Sequence, residues 1–273
     1  MVAADARPTD GAESLENVMR AIVLSLATAL FASLATMIPA GAQGAPPVPP
    51  AADTQVVGGQ PADPGEDPWM AALVIHERYE PNPFAGLVCG ASFISPDTLV
   101  TAAHCVEGVP PYALQVVAGS TNLVPAEVER LDVRNVRRHP DRTWSSARWD
   151  VAVVQLRRPP TVPVTPIDLV TPADAALWEP GDLARFTGWG VDERGQPISR
   201  LNEAEAPIVA DGDCRARYGP LFAGRSMVCA GDLGTGEVSP CYGDSGGPLT
   251  VLDGGRPVLV GLVLGGYRCG DPN

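Results

Sequence analysis

Ser245 sits in Gly243-Asp244-Ser245-Gly246-Gly247-Pro248, a stretch suited to nucleophilic chemistry. The two glycines after the serine permit a tight turn and let another group approach the backbone closely. In such a turn the N–H groups of Gly243 and Ser245 can converge on one point, where a developing oxyanion would sit. A serine hydroxyl is a weak nucleophile alone, so the chemistry needs a base and a carboxylate to orient that base. His104, in Val100-Thr101-Ala102-Ala103-His104-Cys105, offers the base. Asp150, in Trp149-Asp150-Val151-Ala152-Val153-Val154, offers the carboxylate. His76 and His139 have no comparable setting and are read as ordinary polar residues.

The chain order His, Asp, Ser is that of chymotrypsin-like proteases. With Gly188-Trp189-Gly190 and the six cysteines, the segment from Val56 to Asn273 resembles a secreted serine protease of the trypsin/chymotrypsin family. The resemblance implies a serine endopeptidase acting on proteins or peptides without a cofactor. His104 would take the proton of Ser245 and return it to the leaving amine, while Asp150 fixes the imidazole tautomer. Gly243 and Ser245 would supply the oxyanion hole. Ser239 would lie at the base of the specificity pocket and Gly266 on its wall. Neither is acidic, and Glu237 is two residues off, so large apolar side chains are expected before the scissile bond rather than Arg or Lys. The rival function is a non-catalytic homologue that acts by binding. Such relatives commonly lose a triad residue, and none is lost here.

Six cysteines suit an oxidising compartment, and spacing alone allows fifteen pairings. The resemblance selects Cys89–Cys105, Cys214–Cys229 and Cys241–Cys269. A zinc site is the alternative use of cysteine, but the chain has no Cys-x-x-Cys pair, and no metal is expected. The net charge of −13 argues against nucleic acid as a partner and favours solubility.

Met19-Arg20, the apolar run from Ala21 to Ile38 and Pro39-Ala40-Gly41-Ala42 read as a signal peptide over residues 19–42. The competing reading is a membrane anchor. Residues 1–18 are polar and carry more acid than base, as expected of a mis-assigned extension ahead of a start at Met19. Residues 43–55 read as a propeptide. The mature chain, 56–273, then begins at Val56-Val57-Gly58-Gly59, is secreted and has no membrane segment. By resemblance, a freed Val56 ammonium pairs with Asp244 and orders the oxyanion loop, so the chain is made as a zymogen. Gln55 before the cut points away from a trypsin-like activator and leaves another activating protease as partner.

The elements that must position these groups are short. Apolar segments recur at Trp69–Ile75, Leu87–Ile94, Thr98–Thr101, Leu114–Ala118, Val151–Leu156, Leu183–Thr187, Met227–Ala230, Pro248–Leu252 and Val258–Leu264. Turn residues separate them, which predicts an all-β fold. The resemblance implies two packed antiparallel β-barrels, chymotrypsin-like, over about 56–160 and 171–273, joined by Arg157–Thr171. Asp211–Tyr218 is expected to form a short helix ending at Gly219. Two departures stand out. Leu264-Gly265-Gly266 replaces the family's Ser-Trp-Gly, so Asp150 loses a hydroxyl donor. Relatives also continue beyond the position of Asn273 through a strand and a helix, so the second barrel is expected to be incomplete at its C-terminal side and the sequence to be a partial one.

Overall fold

The computed structural model describes residues 58–124, 128–143, 147–192, 194–235 and 238–265. The extension, signal peptide, propeptide, Val56, Gly266 and Cys269 all lie outside the described residues. The first half holds β1 (Gln60–Pro61), β2 (Met70–Ile75), β3 (Leu87–Ser95), β4 (Thr98–Thr101), β5 (Leu114–Ala118), β6 (Glu129–Arg138) and β7 (Ala152–Leu156). The second holds β8 (Asp168–Leu169), β9 (Leu183–Gly188), β10 (Asn202–Val209), β11 (Cys229–Ala230), β12 (Pro248–Asp253) and β13 (Arg256–Leu262). Among the described residues one α-helix, α1 (Asp211–Tyr218), lies between β10 and β11 and ends at Gly219, whose φ is 56°.

The architecture is all-β and chymotrypsin-like. Strands β2 to β7 close into an antiparallel barrel in the order β2-β3-β4-β7-β6-β5. Alternation explains why β2 is apolar on both faces. Its Ala71 and Leu73 point into the barrel core with Phe93, Leu99 and Val116, while Met70, Ala72 and Val74 pack outside with Trp189 and Leu201. In β6 the same alternation buries Leu131 and Val133 and leaves Asp132 and Arg134 exposed.

The remaining strands form a second sheet in the order β1-β10-β9-β12-β13-β8, with β11 added to β10. This sheet stays open among the described residues. Its inner side gathers Phe186, Ala206, Ile208, Val251 and Val258. The connecting segment does more than link the halves, because its β8 pairs in parallel with β13.

Two features join the halves around the Ser245 loop. Trp69, Val100, Ile167 and Leu259 form a buried apolar cluster drawn from both. Beside it, backbone lies on backbone. Gly90 of β3 donates its N–H to Ser245 O at 2.8 Å, and a Cβ on Gly90 would stand 2.7 Å from Gly247 Cα. Only glycine admits that approach.

Candidate active site

His104 lies in a one-turn 3-10 helix, Ala103–Val106, directly after β4. Barrel packing buries Ala103, Cys105 and Val106, which leaves His104 as the residue of that turn able to face outward. The Cys89–Cys105 disulfide ties the turn to β3, with its Cα atoms 6.1 Å apart.

Asp150 precedes β7 in a tight turn. Trp149 takes φ of 58°, a conformation rare for a bulky residue, and Val151 N–H donates to Trp149 O at 2.8 Å. His139 holds both sides of this turn. Its ring stacks on Trp149 with centroids 4.7 Å apart, and its N–H donates to Val151 O at 3.0 Å. An ordinary polar residue by sequence, His139 thus shapes the approach to Asp150.

The structure brings Asp150 and His104 together through two hydrogen bonds. His104 Nδ1 is 2.6 Å from Asp150 Oδ2, and the His104 backbone N–H donates to Oδ1 at 2.8 Å. A carboxylate on Nδ1 selects the tautomer with hydrogen there and leaves Nε2 basic. Burial raises the Asp150 carboxyl pKa. The His104 side-chain bond and charge, its backbone N–H and the Arg142 guanidinium lower it by more, and the net direction is down. Asp150 is therefore an anion at neutral pH. Nε2 lies 3.6 Å from Cys105 Sγ, and the sulfurs of Cys89 and Cys105 are already spent on their disulfide.

A charged residue absent from the sequence reading stands behind Asp150. Arg142 Nε is 3.5 Å from Asp150 Oδ1, and its Nη2 is 3.7 Å from Glu107 Oε2. All three side chains are buried. Nothing in the local sequence of Arg142 or Glu107 marks this contact, which is made across loops.

Ser245 is carried by the loop before β12. Gly243 and Gly246 take φ of 95° and 75° there. A Cβ on Gly246 would fall onto Thr101 Oγ1 and Gly90 O, so the loop seats directly on β3 and β4, the strands leading to His104. Asp244, Gly246 and Gly247 donate their N–H groups to Cys241 O, Val263 O and Asp244 O. Among the described residues the amides of Gly243 and Ser245 have no such acceptor.

Asp244 points away from this surface and is 1 % exposed. Its Oδ1 accepts the Gly190 N–H and its Oδ2 accepts the Cys241 N–H, each at 2.8 Å. Burial pushes its pKa up to about 6 against the pull of those two donors. Gly188 and Gly190 are glycines for a local reason, since a Cβ on either would overlap the Asp244 carboxylate.

Beside Asp150 opens a cavity of about 810 Å³ walled by Trp149, Met227, Val228, Pro240 and Leu264. Ser239 is half-buried next to Pro240, and Gly265, the neighbour of Gly266, lines the same space. Among the described lining residues Asp150 is the one carboxylate, while Arg225 contributes a positive charge. The second disulfide, Cys214–Cys229, spans this wall with its Cα atoms 6.4 Å apart. Cys241 is also disulfide-bonded.

A closed barrel, a second sheet, a hydrogen-bonded His–Asp pair after the barrel strands and a glycine-seated serine loop packed on β3 and β4 define the class by fold, a chymotrypsin-like two-barrel protein. The family profile described as trypsin matches residues 56–273, and the chain belongs to that family. It is 35% identical over 218 residues to a trypsin of Saccharopolyspora erythraea, covering 80% of this chain and 89% of the relative. It is 33% identical over 229 residues to serine protease 28 of Mus musculus, covering 78% and 81%. With serine protease 56 of Homo sapiens it shares 32% over 222 residues, 80% of this chain but 35% of that protein.

Proposed function

We propose that the protein is a secreted serine endopeptidase, made as a zymogen, that cleaves peptide bonds through an acyl-enzyme. The observation that carries this reading is the buried Asp150 bonded to His104 Nδ1, which leaves Nε2 available as a base beside the Ser245 loop. Ser245 Oγ attacks the carbonyl carbon as its proton passes to His104 Nε2. The amides of Gly243 and Ser245 stabilise the oxyanion, each worth roughly 3 kcal/mol in comparable sites. His104 then protonates the leaving amine, and the same steps with water release the acid.

Activation follows from Asp244. Among the described residues the buried Asp244 carboxylate has two neutral backbone donors, too few to offset the cost of its charge, and a Val56 ammonium would repay that cost on insertion. Cleavage after Gln55 thereby couples removal of the propeptide to order in the oxyanion loop.

The apolar cavity wall, the neutral Ser239 and the positive Arg225 favour large apolar side chains before the scissile bond. Peptide amides that differ only at that residue test the preference. Hydrolysis is expected to be at least about tenfold faster after Phe or Leu than after Arg, one methylene-scale contact already being worth about 1–3 kcal/mol. Dominant cleavage after Arg would overturn it.

A further inference from the structure

We propose that Arg142, itself anchored by Glu107, is a positioning residue for the His104–Asp150 pair. The side chains form a row of alternating charge: Arg138, Glu107, Arg142, Asp150 and His104. Arg138 Nη1 lies 2.6 Å from Glu107 Oε1, and Arg142 bridges Glu107 Oε2 to Asp150 Oδ1 at 3.7 and 3.5 Å. The side chains of Glu107, Arg142 and Asp150 are 3%, 8% and 5% exposed, so water screens these contacts little. The row also crosses three segments of chain. Glu107 follows the turn carrying His104, Arg138 ends β6, and Arg142 lies in the loop leading to Asp150.

Geometry gives Arg142 work that no other described side chain takes on. Asp150 Oδ2 is occupied by His104 Nδ1. Oδ1 takes the His104 backbone N–H and faces Arg142. Leu264, two residues past the end of β13, lines the same cavity as Asp150, and its side chain offers no donor. Arg142 therefore holds the carboxylate in the plane that meets the imidazole. It also tempers how strongly Asp150 draws a proton onto His104, and Glu107 tempers Arg142 in turn.

This inference rests on the proposed roles of His104 and Asp150, and its tests separate the two. Among the described residues, the charged and titratable groups around His104 include Asp150, Arg142, Glu107 and Arg138, with His139 stacked on Trp149 beside Asp150 and Asp244 on the nucleophile loop. Removing the nearest positive charge favours the imidazolium, so Arg142→Met is expected to move the acid limb of the kcat/KM profile to higher pH by about 0.5–1 unit. Glu107→Gln frees the Arg142 charge and is expected to move the limb to lower pH. Arg142→Lys keeps the charge and should hold the limb within about 0.3 unit of wild type.

The far-downfield proton resonance of His104 Nδ1 provides a readout independent of turnover, recorded in an inactive Ser245→Ala background. It is expected to shift or broaden in Arg142→Met and to return in Arg142→Lys. If Arg142→Met does not fold, the opposed shift in Glu107→Gln and the near-native Arg142→Lys profile decide. Unchanged limbs and an unchanged resonance would overturn the inference and reduce Arg142 to a loop staple. A wild-type enzyme that hydrolyses nothing, with the resonance still moving in Arg142→Met, would instead overturn the functional reading alone.

Discussion

Asp150 and Asp244 show two carboxylates driven in opposite directions by their surroundings. Asp150 is held down by His104 and Arg142 despite its burial. Removing its charge should leave the fold intact but present the wrong imidazole tautomer. Asp150→Asn is expected to lower kcat by about 10⁴, measured on a peptide amide. Asp244 is pushed up by burial, from 3.8 to about 6. A raised carboxyl binds its proton more tightly in the folded state, so its penalty is full above about pH 6 and relieved as pH falls toward 3.8. In an uncleaved precursor, the stability of wild type relative to Asp244→Asn should therefore rise between pH 7 and 4 by roughly 2 kcal/mol. Denaturant titrations at both pH values check this. A Val56 ammonium delivered by cleavage should flatten that dependence. At this scale, Ser245, His104 and Asp150 were legible because each carries a local neighbourhood of its own. Arg142, Glu107 and the clamp made by His139 were not, because their partners come through space.

The elements place these residues by letting backbone touch backbone. The Ser245 loop can sit on β3 only while Gly90 and Gly246 lack side chains, and against Thr187 O of β9 only while Gly247 does. Gly246→Ala would strain a φ of 75° and drive a methyl group into Thr101 and Gly90. It is expected to cost about 2 kcal/mol or more in denaturant unfolding and to reduce turnover sharply. Most strands were readable because their apolar runs are continuous, as in β2, β5 and β12. β6 and β10 were not. β6 hides two core residues among alternating charges. β10 begins Asn-Glu-Ala-Glu and reads as a polar loop, yet Glu203 is buried there. Arg185 on β9 bonds its carboxylate, and Gln60 on β1 donates to its Oε1 at 2.9 Å. Cross-strand pairing of that kind has no signature within a single strand.

Across the whole molecule, the proposed chemistry requires two halves to meet at one seam. The first contributes His104 and Asp150 and the second Ser245, while Trp69, Val100, Ile167 and Leu259 seal the contact beneath. Leu259→Ala should open a cavity there and destabilise the protein by about 2–5 kcal/mol. Thermal unfolding would register the loss, and residual activity should fall before the first barrel unfolds. The two-barrel plan was readable from the order of motifs along the chain. The parallel β8–β13 pairing was not, because a two-residue strand inside a proline-rich connection carries no periodicity. The central claim is that His104 and Asp150 make the Ser245 hydroxyl nucleophilic. Its most direct measurement is intact-mass analysis of protein beginning at Val56 after exposure to a fluorophosphonate. One adduct per chain is predicted, mapped to Ser245, absent in Ser245→Ala and strongly slowed in His104→Ala. A processed, folded sample that takes up no adduct, or takes it up equally in Ser245→Ala, would contradict the account.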